Sequence, residues 1–317
     1  MSAAVLDPND ALPHAFRAEA SDGYSLGGLL WHRPEQGRAR KFVLIVPATS
    51  VCCTFYSRFA EYLFSNGYDV ATFDYRGIGF SRPADLRGFQ ADWVDWGAKD
   101  VEAILAHIRT LCPACDISIV AHSIGGFTVG MAPSAAAVRR IVTVAAQYAY
   151  WRDYHSDHRL AMLLRWHVAM PLMTALYGYF PGKRLGWLED TPAGIVRDWT
   201  RMGPDFERAL RKNLYIGGER EGDLLKARLA RITAPILAIS FEDDPFGTKI
   251  AIERLLRYFT GSEKLRRRMS PTDIGESAIG HFGFFQKRFG ARLWPIALAF
   301  LNEERQHRED RQNDGLS

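Results

Sequence analysis

The sequence predicts an α/β protein built on a mostly parallel sheet with helices on both faces. Three observations carry that expectation. Short apolar runs of strand length alternate with longer stretches of helical periodicity, which is how successive βα units read. The elements are long enough, and the strands apolar enough, for a sheet covered on both sides. At 317 residues, 47% hydrophobic and 24% charged, the chain can bury one large core and still carry an insertion.

The elements follow in order. Leu26–His32 and Phe42–Val46 read as strands, and Val70–Phe73 is a third apolar run, bounded by Gly67 and the Gly77/Gly79 turn. Between them Phe55, Phe59, Tyr62 and Leu63 recur at helical spacing and stop at Gly67, a residue that tolerates the left-handed backbone of a helix end. A second helical pattern runs from Trp93 through Val101, Ile104, Leu105 and Ile108 into the strand Asp116–Val120. Ile141–Ala145 and, after Pro235, Ile236–Ile239 are further strands, and a closing helix carries Phe284, Phe285, Phe289, Leu293 and Ile296. The interval from Tyr148 to Arg231 breaks this rhythm, being helix-like and rich in Trp, Tyr and Met. It reads as a helical cap (148–231) inserted between the sixth and seventh strands of a core made of 1–147 and 232–302, with a polar tail over 303–317.

Composition excludes several classes. The net charge of +4 is spread among interspersed acids and bases, which gives no footprint for nucleic acid. The densest basic spot, Lys264–Arg268, follows Glu263 and reads as a solvated strand or loop face. Met1–His14 has neither a basic n-region nor an apolar h-region, so no cleaved signal is expected. The longest apolar stretch, Leu160–Phe180, is interrupted by Arg165, His167 and Pro171 and is expected to be buried or pocket-lining, not a membrane span. The vicinal pair Cys52/Cys53 and the run Cys112-Pro113-Ala114-Cys115 complete the cysteines. In the second pair a helix leads into a strand, the reverse of the redox arrangement. Asp157/His158 lacks a third ligand. Neither metal nor cofactor is expected, and reduced thiols point to a cytoplasmic setting.

The chemistry gathers at Ala121-His122-Ser123-Ile124-Gly125-Gly126, directly after the Asp116–Val120 strand. A serine between an apolar strand and small residues that open a helix has the form of a nucleophile elbow, in which a sharp turn exposes the hydroxyl. Gly125 lets the helix start close to the strand, while Ala121 stands where a glycine is usual. A serine hydroxyl needs a base, and the base needs a group that fixes its tautomer. Two downstream segments offer them. The buried strand Ile236–Phe241 runs into Glu242-Asp243-Asp244-Pro245, and Ile279-Gly280-His281-Phe282-Gly283 sets a histidine in a glycine-flanked loop before the last helix.

With the turn Asp74-Tyr75-Arg76-Gly77-Ile78-Gly79-Phe80-Ser81, which matches a D-x-R-G-x-G-x-S pattern after the fourth strand, these residues make the chain from Gly23 to Leu301 resemble the capped α/β-hydrolases, both serine aminopeptidase-like and esterase/lipase-like. The resemblance implies that fold, with Ser123 as nucleophile, His281 as general base and Asp244 as the orienting acid, Asp243 being the runner-up. It implies an oxyanion hole made by the backbone N–H of Ile124 and a second donor from Pro47-Ala48-Thr49-Ser50, where Pro47-Ala48 replace the His-Gly of many relatives. Thr49 is the candidate and Ala48 the alternative. It assigns the Asp74–Ser81 turn mainly structural work.

His122, next to the nucleophile, is expected to pack or to line the pocket, since neighbouring side chains at a strand end diverge. Most cap aromatics are expected to pack on the core, with Tyr148, Trp151 and Trp166 joining His122 at the substrate. His155, His158 and His167 are read as surface or substrate-contact residues. An apolar roof would favour an acyl chain or aromatic ester over a highly charged substrate. The expected reaction is hydrolysis of a carboxylic ester or related acyl compound through an acyl-enzyme. An acyltransferase or thioesterase would use the same triad, and a non-catalytic scaffold would not need its three members in order. An aminopeptidase would want an acid for the substrate's amine, for which Asp153, Asp157, Glu189 and Asp190 are the candidates.

Overall fold

The structure is a computed structural model that describes residues 12–33 and 40–304. Most of the segment expected to lack a signal, and the tail beyond 304, lie outside the described residues. Eight strands form the main sheet: β1 (His14–Glu19), β2 (Ser25–Trp31), β3 (Lys41–Val46), β4 (Tyr68–Phe73), β5 (Asp116–His122), β6 (Ile141–Val144), β7 (Ile236–Phe241) and β8 (Lys264–Met269). Their spatial order is β1-β2-β4-β3-β5-β6-β7-β8. Only β1/β2 and β2/β4 run antiparallel; from β4 to β8 every pairing is parallel.

Parallel strands need crossovers, and the helices that supply them cover both faces. The strands read accordingly. In β3 successive side chains alternate between two apolar clusters, Phe42, Leu44 and Val46 in one, Val43 and Ile45 in the other. Helix α1 (Ser57–Ser65) and the closing helix α2 (Lys287–Asn302) cover the second face through Phe59, Leu63, Leu293 and Trp294. The stretch from Trp93 to Leu111 covers the first, with Trp93, Ile104, Leu105 and Ile108 buried. The carboxyl ends of β3, β5 and β7 meet at one edge, so the loops that begin at Pro47, Ser123 and Glu242 converge there.

Two elements differ from the sequence expectation, and a third decides between its alternatives. β1, absent from it, is an edge strand with only Ala18 fully buried. β8 resolves the strand-or-loop choice for Lys264–Arg268: it is the opposite edge, where exposed charge blunts further pairing, and Arg266 pairs with Glu253. Phe284 and Phe285 lie on a separate 3₁₀ turn, Gly283–Phe285, ahead of α2.

Between β6 and β7 the chain is largely helical, with two pairs of two-residue strands. Its longest helical run, Arg159–Tyr177, meets the expectation of a buried or pocket-lining segment on one face only. Met162, Trp166, Met170 and Thr174 form an inward stripe at four-residue intervals. The opposite stripe, Leu160, Leu164, Val168, Leu172 and Leu176, is open to solvent, with Leu160 69% and Leu176 78% exposed. Both stripes are apolar, so the pattern could not tell which would be covered. By length and composition alone it could cross a membrane.

Candidate active site

Ser123 sits at φ 54° and ψ −122° between β5 and the helix Ile124–Val129. A non-glycine residue held there is strained, as an elbow nucleophile is. The helix starts hard against β3: a Cβ on Gly125 would lie 2.6 Å from the Val46 carbonyl oxygen. Ala121 is an ordinary, fully buried strand residue opposite Val46 and Thr143. Its methyl is core, which explains why glycine is dispensable at that position.

The three residues implied for the triad come together. His281 Nε2 lies 2.9 Å from Ser123 Oγ, and His281 Nδ1 lies 2.8 Å from Asp244 Oδ2. Asp244 is fully buried, which pushes its carboxyl pKa up, but His281 and the backbone N–H groups of Phe246 and Gly247 outweigh burial and hold it below the ordinary value. An ionised Asp244 accepts from Nδ1–H and leaves Nε2 free to take the serine proton. Asp243 faces elsewhere: its Oδ2 accepts from the N–H of Ile279 at 2.7 Å and of Gly280 at 2.8 Å, clamping the loop that carries His281.

The candidate oxyanion donors separate in the same way. Ala48 N–H donates to Tyr56 Oη at 2.9 Å and is thereby committed. Among the described residues no acceptor takes the N–H of Thr49 or Ile124. Ser50 fixes this loop to the helical insertion through Thr191 Oγ1 at 2.6 Å and the N–H of Glu189.

His122 does not line the cavity; it lies fully buried behind the site. Its Nε2–H donates to the His281 carbonyl at 2.9 Å, and its Nδ1 accepts from Tyr56 Oη at 2.9 Å. One neutral imidazole thus joins the loop after β3 to the His281 loop. Burial, and then the neighbouring His281, push its pKa down to about 3. The unfolded chain takes up a proton near the usual pKa of about 6.5, so His122 contributes stability above that pH and loses it as pH falls toward 3. Urea unfolding of wild type against His122→Gln should show the wild type losing up to about 1.4 kcal/mol more per pH unit between pH 6 and 4. Parallel profiles would show that His122 is not buried neutral.

Above Ser123 lies a cavity of about 250 Å³, bounded by Ala48, Thr49, Ile124 and His281 below and by the insertion above. Trp166 lines it as expected. Tyr148 does not: it packs on Phe127 and Phe206 and donates its hydroxyl to the Pro204 carbonyl at 2.7 Å. Trp151 is half-buried away from the cavity, under Arg152. Their places are taken by Trp187, Trp199 and Phe246, with Trp199 stacked on Trp166 at 5.1 Å and Phe246 5.0 Å from the His281 ring. Trp93, Gln147, Arg165 and Phe282 complete the polar and aromatic lining. These residues come from separate helices and loops, and no spacing in the sequence links them.

The cap histidines His155, His158 and His167 stand outside the lining. So do the four candidate acids: Asp153 is paired with Arg254, Asp190 with Arg82, Glu189 with Lys183, and Asp157 is exposed beside Ser156. The four thiols are free, and among the described residues no group of three or more His, Cys, Asp or Glu could hold a metal ion.

Comparison with known proteins agrees with this fold. No curated protein matches the sequence. A soluble variant of monoglyceride lipase from Saccharomyces cerevisiae, solved with a substrate analogue, is similar in structure with a TM-score of 0.64 at 15% identity, over 95% of this chain and 98% of that one. An esterase from Pyrococcus furiosus aligns with a TM-score of 0.59 at 14% identity, over 95% of each chain. An acylaminoacyl peptidase from Pyrococcus horikoshii aligns at 0.58 and 14% identity, over 94% of this chain and 43% of the other. At such identities the likeness establishes the fold. The family described as serine aminopeptidase, S33, matches residues 37–268, well over half of the chain, and on that match the protein belongs to the serine aminopeptidase S33 family of the α/β-hydrolase superfamily.

Proposed function

We propose that this protein is a serine esterase that hydrolyses short carboxylic esters through an acyl-enzyme. The observation that carries the proposal is the unbroken relay from Ser123 Oγ to His281 Nε2 at 2.9 Å and from His281 Nδ1 to Asp244 at 2.8 Å. Ser123 Oγ attacks the acyl carbon as its proton passes to His281, and the carbonyl oxygen takes the negative charge toward the N–H groups of Thr49 and Ile124. His281 then protonates the departing alcohol. Water, deprotonated by the same imidazole, attacks the acyl-enzyme and releases the acid and Ser123.

The cavity supports ester over aminopeptidase chemistry. None of its lining residues is Asp or Glu, so no carboxylate is present there to hold a substrate's ammonium. At about 250 Å³ it is smaller than the roughly 300–1,000 Å³ of pockets for larger ligands, which supports short acyl groups. Free thiols fit the cytoplasmic setting that the reading includes.

A fluorophosphonate probe, which phosphonylates only an activated serine, should label wild-type protein and not Ser123→Ala. The same substitution should abolish turnover of 4-nitrophenyl butyrate. Labelling at another serine, or none on protein that turns the ester over, would reject the mechanism.

A further inference from the structure

The polar groups that frame the cavity are unevenly divided: its uncommitted donors have no acidic counterpart. Arg165 is the single arginine of the lining and there is no lysine. It lies on a π-helical turn, Leu164–Ala169, inside the Arg159–Tyr177 run. Such widened turns re-aim side chains and cluster at functional sites. Its guanidinium rests 4.4 Å from the centre of the Trp187 ring and 5.7 Å from that of Trp166, both cavity walls. No carboxylate pairs with it among the described residues, whereas the insertion's Arg211 binds Asp92, Asp95 and Glu221.

We infer that the substrate is an ester carrying a second, ionised carboxylate, and that Arg165 is the residue that selects it. The inference rests on the serine-esterase reading and adds the substrate's charge. It refines the expectation that an apolar roof favours an acyl chain or aromatic ester over a highly charged substrate: the tryptophan walls supply flat surfaces on which a guanidinium lies while its edge N–H groups stay free for a carboxylate. The arrangement is the converse of an amine-binding site, with a cation where an aminopeptidase needs an acid.

The test uses two matched pairs, so that the end bearing the charge is also identified. On the acyl side, mono-4-nitrophenyl adipate is compared with 4-nitrophenyl hexanoate, which has a methyl in place of the distal carboxylate. On the alcohol side, 4-acetoxybenzoate is compared with 4-acetoxybenzamide. Wild type should favour the anion by about 10-fold or more in kcat/KM in one pair, the range of a charge-assisted hydrogen bond at a partly open site, and the preference should shrink as salt is added. Arg165→Met keeps the stem over Trp187 and removes the charge; it should abolish that preference by lowering kcat/KM for the anionic ester about 10-fold more than for its neutral partner. Arg165→Lys should recover part of it. No preference in either pair, or an equal loss on both members with Arg165→Met, overturns the inference while fluorophosphonate labelling of Ser123 and hydrolysis of the neutral esters still uphold the esterase reading. Absence of labelling and of all turnover rejects both.

Discussion

Asp244→Asn is expected to lower kcat for ester hydrolysis by about 10⁴-fold, the scale on which a triad histidine loses its tautomer when its acid becomes an amide. Asp243→Asn, one position away, should lower it by only about 10-fold, the cost of a slightly misplaced base. The difference follows from what each carboxylate holds. Asp244 accepts the Nδ1–H of His281, whereas Asp243 accepts two backbone N–H groups of the preceding residues. An asparagine at 243 keeps an acceptor oxygen for those amides. An asparagine at 244 offers an NH₂ that can present a donor to Nδ1 and so favours a proton on Nε2, where it blocks transfer from Ser123. Steady-state kinetics with 4-nitrophenyl butyrate, alongside fluorophosphonate labelling rates, check this. Near-wild-type activity of Asp244→Asn with collapse of Asp243→Asn would reverse the two roles.

This pair also shows how far the sequence could be read. That a carboxylate at the end of a buried strand would serve the site was legible, because strand, turn and residue type coincide over Ile236–Asp244. Choosing between adjacent aspartates rested on the family resemblance, since both occupy the same sheet edge. The core strands were legible for the same physical reason that they are buried: strands covered on both faces are continuous apolar runs. The edges were not, because β1 and β8 are mostly exposed and their side chains answer to solvent. The cavity walls were the least legible. Gln147 and Ala149 line the cavity while Tyr148 between them turns away into the core. Ala145 and Ala149 adopt left-handed backbone there, with φ 52° and 58°, and no residue type in the segment announces it. Arg165 was visible only as an interruption of an apolar stretch; its value depends on Trp187, 22 positions away, lying flat against it.

Asp100→Ala is expected to lower the unfolding free energy by about 3–5 kcal/mol, the cost of stripping one partner from a buried ion pair. Asp22→Ala, which removes the other carboxylate on the same arginine, should cost less than about 1 kcal/mol. Arg76, in the turn after β4, donates its backbone N–H and its Nε to the two oxygens of Asp100 at 2.9 and 2.7 Å, and its Nη1 to Asp22 at 2.7 Å. Asp100 has no exposure, while the Asp22 side chain is 34% exposed and can be replaced by water. Burial pushes the Asp100 carboxyl up to about 7, and the Arg76 donors keep it from rising further. Removing Asp100 therefore leaves a buried guanidinium short of a counterion, and removing Asp22 does not. Urea denaturation of the two variants measures the contrast, and equal losses would show that Arg76 is held by its exposed side. The turn reaches the site only indirectly: Asp74, two residues before Arg76, accepts the N–H of Cys53 at 2.6 Å and of Phe80 at 2.7 Å, tying down the chain that follows the Pro47–Ser50 loop. Well below its melting temperature, Asp100→Ala should keep its kcat per fluorophosphonate-titrated serine, because the relay from Ser123 to Asp244 shares no hydrogen bond with this network. A motif that marks the family is then expected to act on how much enzyme is folded, while Asp244 acts on what each folded molecule can do.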